Sequence, residues 1–294
     1  METGTDVLTE RLSVASDGPL LAFLRDRLDG WRVKTLKARL RQGCVQVNGA
    51  CATRHDHPLR AGDRVEVGDA SAIAGPSRRS NAFTTLYADA DLIAIDKPAG
   101  LLSVSTDRER KRTALALVRD SLSTSGRRER LWPVNRLDRE TSGVLLFARS
   151  REMREAVQAH WTDAEKLYLA IVEGHPDPTE GAVDQPLWED RRLEVHVGDG
   201  PGARDARTRY RTRETGRRLA LLEVELDTGR RHQIRCHMAW LGHPVVGDTR
   251  YGQGGPVMGL HALRLRVMHP RLGHPLTFET PPPSAFTALF DRDR

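Results

Sequence analysis

The chain has 294 residues, 38% of them apolar, and carries 46 Lys and Arg against 40 Asp and Glu, for a net charge of +6. That composition supports a packed core and excludes a collagenous or wholly disordered chain. Only five of the basic residues are Lys, so the basic balance fits an anionic partner and fits a GC-rich coding sequence equally well. The first thirty residues are studded with charges, and the longest apolar runs, such as Val144 to Ala148, are far too short to span a bilayer. A soluble, cytoplasmic protein with no membrane partner is expected. Cys44, Cys51 and Cys236 form no CxxC pair and leave one odd, which argues against a disulfide framework or a zinc knuckle.

Residues 15–70 read as a small α/β domain. Pro19 to Leu28 predicts a helix, and Val33 to Gln42 a second one capped by Gly43. In the second helix Val33, Leu36 and Leu40 recur at core-facing spacing, while Lys34, Lys37 and Arg41 recur on another face. Val45-Gln46-Val47 followed by Asn48-Gly49 predicts a hairpin, with a further extended piece ending at Arg64 to Val67. Residues 71–82 are small, polar and turn-prone, as a linker is.

Residues 83–294 form the larger domain in this reading. Strands are expected at Leu92 to Ile95, Gly143 to Ala148, Leu167 to Glu173 and Leu219 to Asp227. A helix from Ser150 would place Met153, Ala156, Val157, His160 and Trp161 on one face, and Arg231 to Leu241 reads as a helix stopped by Gly242. The arginine-rich stretches 103–130 and 175–218 read as loops or hairpins. No internal repeat is present, and no long apolar stripe is left over for self-association, so a monomer is expected.

Three constellations could carry chemistry. The first is Asn135-Arg136-Leu137-Asp138-Arg139-Glu140-Thr141-Ser142-Gly143, just before a strand. A carboxylate hemmed in by arginines should stay ionised and could serve as nucleophile or base. On residue types alone, however, a turn cap or an ordinary surface Arg–Asp pair is the simpler reading. The second runs from Thr228 to His237 across a strand-to-helix junction, where free N–H groups favour anions and Arg235 could hold a carboxylate. His232 and His237 lie five residues apart, off a common helical face, so a metal site is rejected and loop-closing polar residues are the better reading. In the third, Tyr168 alternates with Leu167, Leu169 and Ile171 and would point away from the core as an exposed aromatic suited to stacking on an unpaired base, although a lone strand Tyr is more often ordinary packing. No Walker loop, GxGxxG or HExxH motif occurs, so neither a nucleotide cofactor nor a metal is called for.

Together the motifs resemble one family. RLDRETSG followed by VLLFARS resembles the catalytic loop of RluA-type pseudouridine synthases, as do KPAGLLSVS, EKLYLAIVEG, DTGRRHQIRCHMAWLGHPVVGDTRYG and LHALRLRVMHPRLG, all in the family's order. Residues 19–68 resemble, less specifically, the S4-like RNA-binding domain that many members carry. The resemblance implies an α+β fold: a mixed, mainly antiparallel catalytic sheet with flanking helices, preceded by the S4-like domain. It implies an isomerase that breaks the bond between ribose and base nitrogen, turns the base and rejoins it through carbon 5, with no redox change and no cofactor. Asp138 matches the catalytic carboxylate, Arg235 its basic partner and Tyr168 the aromatic lying on the target base. Ile234 matches an apolar residue on the base's other face, and Arg136 a residue that fills the space of the flipped-out uridine. Lys34, Lys37 and Arg41 would contact phosphates. The partner implied is RNA, ribosomal first and transfer RNA second. Asn135 stands where many members have His.

Overall fold

The computed structural model describes residues 10–28, 31–41, 45–48, 50–52, 54–67, 83–105, 109, 111–122 and 129–294. Two compact units are present, one of Met1–Arg78 with Tyr87–Ala90, the other of Arg79–Leu86 with Asp91–Arg294.

In the first unit, helices Leu20–Arg27 and Val33–Arg41 pack with a four-stranded sheet ordered Glu10–Ser13, Arg64–Val67, Val45–Val47, Ala50–Cys51. Leu20, Leu24, Leu36, Leu40, Val45, Val47, Val65 and Val67 make its core. Val45–Val47 turns back through Asn48, which takes a left-handed φ of 51°. Val33 corrects the periodicity argument: as the helix's first residue it is 41% exposed, whereas Leu36 and Leu40 are buried. Lys34 and Lys37 are exposed. Gly43, Gly49, the linker 71–82 and the side chain of Arg41 lie outside the described residues.

The second unit is α+β. Among the described residues its sheet has ten strands, and only the pairing of Ser142–Ala148 with Leu260–Met268 is parallel. The order runs Glu180–Asp184, Arg207–Thr215, Leu219–Leu226, Glu165–Glu173, Leu260–Met268, Ser142–Ala148, Leu92–Lys97, Thr84–Ala88. Helices cover both faces, so the central strands are buried on both sides and read as nearly continuous apolar runs. Helix Gln233–Trp240 packs through Ile234 and Met238 against Ala170, Val172, Leu222 and Val224. On the opposite face, helix Ser284–Asp291 packs through Phe286 and Phe290 against Leu169 and Ile171.

Two expectations change here. Within 103–130 the chain forms a helix, Ala114–Leu122, whose start is capped by the Thr113 hydroxyl accepting the N–H of Ala116 at 3.2 Å. Ala114 and Val118 then cover Ile93, Ile95, Leu145 and Phe147. The helix after Ser150 ends at Ala159; Met153 and Val157 are buried, His160 is exposed, and Trp161 sits in a following 3-10 turn. Tertiary packing overrode weak local patterns in both places. Among the described residues, no helix is long and apolar enough to cross a membrane.

Candidate active site

A cleft of about 1110 Å³ opens in the second unit, and the loop 134–140 forms its floor. Three residues of one preceding run hold that loop by its backbone. Ser103 donates its hydroxyl to the Leu137 carbonyl at 2.6 Å and accepts the Leu137 N–H at 3.0 Å. Gly100 donates its N–H to the Arg139 carbonyl at 2.8 Å. Lys97, fully buried at the end of its strand, donates to the carbonyls of Arg139, Leu101 and Pro98 at 3.1, 2.7 and 3.0 Å. Burial pulls the Lys97 ammonium down to about 8, with Glu140, Asp138 and Asp96 opposing. The KPAGLLSVS run thus clamps the carboxylate loop. Asn135 clamps it from the other side, accepting the Leu146 N–H at 2.8 Å. At the loop's exit Gly143 takes φ +117°, and a Cβ there would lie 2.2 Å from the Ala262 carbonyl oxygen, so only glycine fits against that strand.

Asp138 lines the cleft, its side chain 24% exposed. Arg235, 5% exposed, approaches from the helix behind it and donates Nη1–H to Oδ2 at 3.0 Å. The remaining guanidinium edge is engaged by Asp248: Nε to Oδ2 at 2.7 Å and Nη2 to Oδ1 at 2.8 Å. Asp248 is completely buried and also accepts the N–H groups of Arg250 and Tyr251. Burial raises the Asp248 carboxyl, but the Arg235 hydrogen bonds and the backbone N–H groups more than offset it and hold it below its ordinary value. Burial also works against the charge on Arg235, and Asp248 and Asp138 outweigh it, so its pKa is raised. Desolvating three charged groups is tolerable because each is hydrogen-bonded.

Tyr168 lines the same cleft but is half-buried, because both faces of its strand are covered; the exposed aromatic expected from alternation is corrected. Burial, with the Asp138 charge adding, pushes its phenol up, so it stays protonated. Arg136 is exposed on the cleft wall. Ile234 is 4% exposed within the sheet–helix core and is not part of the cleft lining, since the helix turns that face toward Tyr210 and Val224. The predicted anion-binding junction is occupied from within the chain: Gln233 Oε1 accepts the Arg230 N–H at 2.9 Å and the Thr228 hydroxyl at 2.8 Å.

The two histidines separate. His237 is buried, bonding Thr208 Oγ1 at 2.8 Å and the Gln185 carbonyl at 3.1 Å, as a loop-closing residue should. His232 instead lines the cleft, with Nε2 3.8 Å from Asp138 Oδ1. Sequence spacing missed it, together with Asp248, Tyr251 and Lys97; the signal was present in the DTGRRHQIR and GDTRYG runs but carried no geometry. Cys236 is a buried free thiol, pushed up to about 11 by burial. Elsewhere Asp190, Glu194 and His196 bring ligand-type atoms within 4.8 Å of one another in an exposed hairpin, where Asp190 already accepts the N–H groups of Arg192 and Glu194.

A profile of RNA pseudouridylate synthases matches residues 91–240. The chain belongs to that family. It is an RNA pseudouridine synthase, an isomerase acting on RNA, and the profile match lies entirely in the unit that holds the cleft. An uncharacterised RNA pseudouridine synthase of Mycobacterium bovis is 34% identical over 288 residues, covering 88% of this chain and 93% of that one. The ribosomal large subunit pseudouridine synthase D of Nitrosomonas europaea is 31% identical over 300 residues, 97% of this chain and 84% of that protein. Among solved structures, human RNA pseudouridylate synthase domain containing 4 aligns with a TM-score of 0.59 at 25% identity, over 71% of this chain and 92% of that chain.

Proposed function

We propose that this synthase isomerises specific uridines of large-subunit ribosomal RNA, with Asp138 as the reacting carboxylate. The observation that carries the reading is Asp138 itself, lining a 1110 Å³ cleft with one oxygen held by buried Arg235 and Tyr168 lining the same space. A carboxylate so placed reaches the anomeric carbon, or the proton on its neighbour, of a uridine turned out of the helix, at an unstacking cost of a few kcal/mol. Tyr168, kept protonated, lies against the base and Arg136 fills the space the base leaves, while Ile234 stays in the helix–sheet core outside the cleft lining. The relatives named for large-subunit ribosomal RNA, from Nitrosomonas europaea and Xanthomonas campestris, support the RNA class. A dual-specificity RNA pseudouridine synthase of Salmonella typhi, 36% identical over 212 residues, favours a second RNA, such as transfer RNA, as the alternative.

The first unit acts in this reading as an S4-like RNA-binding domain, with Lys34, Lys37 and Arg41 at phosphates. Replacing Lys34 and Lys37 by Ala should then flatten the salt dependence of RNA binding; an unchanged slope refutes the assignment. Tritium release from RNA labelled at carbon 5 of uridine tests the carboxylate: Asp138→Ala should release none, and release by that variant would remove Asp138 from the reaction. Pseudouridine mapping in a strain lacking the gene names the target, since a lost large-subunit site supports the first RNA and a lost transfer-RNA site the second.

A further inference from the structure

Two side chains reach the Asp138 carboxylate, one for each oxygen, and each is held from behind by the same short segment. Arg235 meets Oδ2 at 3.0 Å and is gripped by Asp248. His232 faces Oδ1 at 3.8 Å through Nε2, and its Nδ1 lies 2.8 Å from the hydroxyl of Tyr251. Tyr251 oxygen accepts the Val195 N–H at 3.3 Å and also meets the Cys236 thiol, whose own proton goes to the Val195 carbonyl; in this assignment the phenol proton goes to Nδ1. That bond puts the imidazole proton on Nε2, aimed at the carboxylate. The other tautomer would aim a lone pair at a negative oxygen.

The backbone supports the arrangement. His232 takes φ 54° and ψ 19° at the helix start, a left-handed conformation that is costly for a residue other than glycine and clusters where function fixes geometry. Asp138, Arg235, Arg231 and Arg250 are the charges that act on the ring. Burial pulls its pKa down to about 4, with the arginines adding and Asp138 opposing. At neutral pH the ring is an uncharged donor beside a carboxylate whose other oxygen already has a cation.

We propose that His232 is a positioning residue of the active site: an Nε2–H donor, its orientation set by Tyr251, that holds the second oxygen of Asp138 while the first is held by Arg235. The assignment rests on Asp138 being the reacting carboxylate. At 3.8 Å the contact is beyond hydrogen-bond reach. It closes when substrate draws the carboxylate forward, as catalytic hydrogen bonds do on passing from the free enzyme to the complex.

The test compares kcat and KM of the full chain on a defined RNA, by tritium release, for wild type, His232→Ala, His232→Gln, Tyr251→Phe and the His232→Gln/Tyr251→Phe pair. His232→Ala should lower kcat roughly tenfold to a hundredfold with KM little changed, the ordinary weight of one well-placed hydrogen bond in a transition state. His232→Gln places an amide N–H where Nε2–H was and should recover most of that loss. Tyr251→Phe keeps the ring that lies 5.3 Å from the Arg235 guanidinium. It should lower kcat several-fold in wild type and hardly at all in the His232→Gln background, because it acts through the histidine.

Equal losses from Tyr251→Phe in both backgrounds would overturn the proposal, as would a His232→Gln enzyme no better than His232→Ala. A raised KM at unchanged kcat would make His232 an RNA contact and overturn it too. If the Ala variant melts early, the Gln variant and the pair decide. Activity surviving in Asp138→Ala is a separate failure, of the carboxylate assignment rather than of the histidine's place beside it.

Discussion

Arginine meets carboxylate in two regions of the second unit, with opposite consequences. On strand Arg207–Thr215, Arg207, Arg209, Arg211 and Arg213 project to one exposed face and pair with Glu223 and Glu225 of the neighbouring strand and with Asp227 just beyond its end at 2.6–3.5 Å. Behind the cleft, buried Arg235, 5% exposed, joins Asp248 to Asp138. The arginines of the ladder are solvated, so each pair is worth little, and four of them share three carboxylates. The triad is desolvated, so each member depends on the others. A basic sequence stretch can thus be a self-paired surface face, whereas Arg235 is a buried member of a carboxylate triad.

Three substitutions test that contrast, in falling order of effect. Asp248→Ala leaves Arg235 buried without its two-point partner and should cost about 3–5 kcal/mol of folding stability in urea unfolding. A loss under 1 kcal/mol would place the triad in the same class as the ladder. Lys97 extends the buried side. Its ammonium titrates at about 8 in the fold against 10.5 when free. Between those values the unfolded chain binds more protons than the native one, so stability rises with pH across that window, and the penalty for burying the charge is full below it. Relative to Lys97→Met, wild type should gain ~3 kcal/mol from pH 8 to pH 10.5; a flat difference would mean that Lys97 titrates normally. At the small end, Arg211→Ala breaks a 2.6 Å pair that is 65% exposed on the arginine side and should cost only about 0.2–1 kcal/mol, with RNA affinity unchanged in a salt titration.

The sequence carried the strands well, because residues buried on both faces leave long apolar runs such as Ser142–Ala148. It carried the Asp138–Arg235 pairing only through five motifs taken together, since the two residues are 97 positions apart. The rest depended on three-dimensional placement. Lys97 reads as any lysine until its three carbonyl partners are seen, and Asp248 reads as a turn residue. His232 and His237 look alike in spacing, and the left-handed backbone at the first separates them. Ile234, matched to the base by resemblance, sits in the helix–sheet core.

Gly143 bears on how this enzyme could be rebuilt. Because its Cα lies flush on the Ala262 backbone, the end of the carboxylate loop is set by a strand pairing and not by the loop's own sequence. The exchangeable module in a chimera with a relative is therefore the loop 134–140 together with Gly143 and the stretch of Leu260–Met268 it rests on. A graft that stopped at the loop would inherit the chemistry without its foundation.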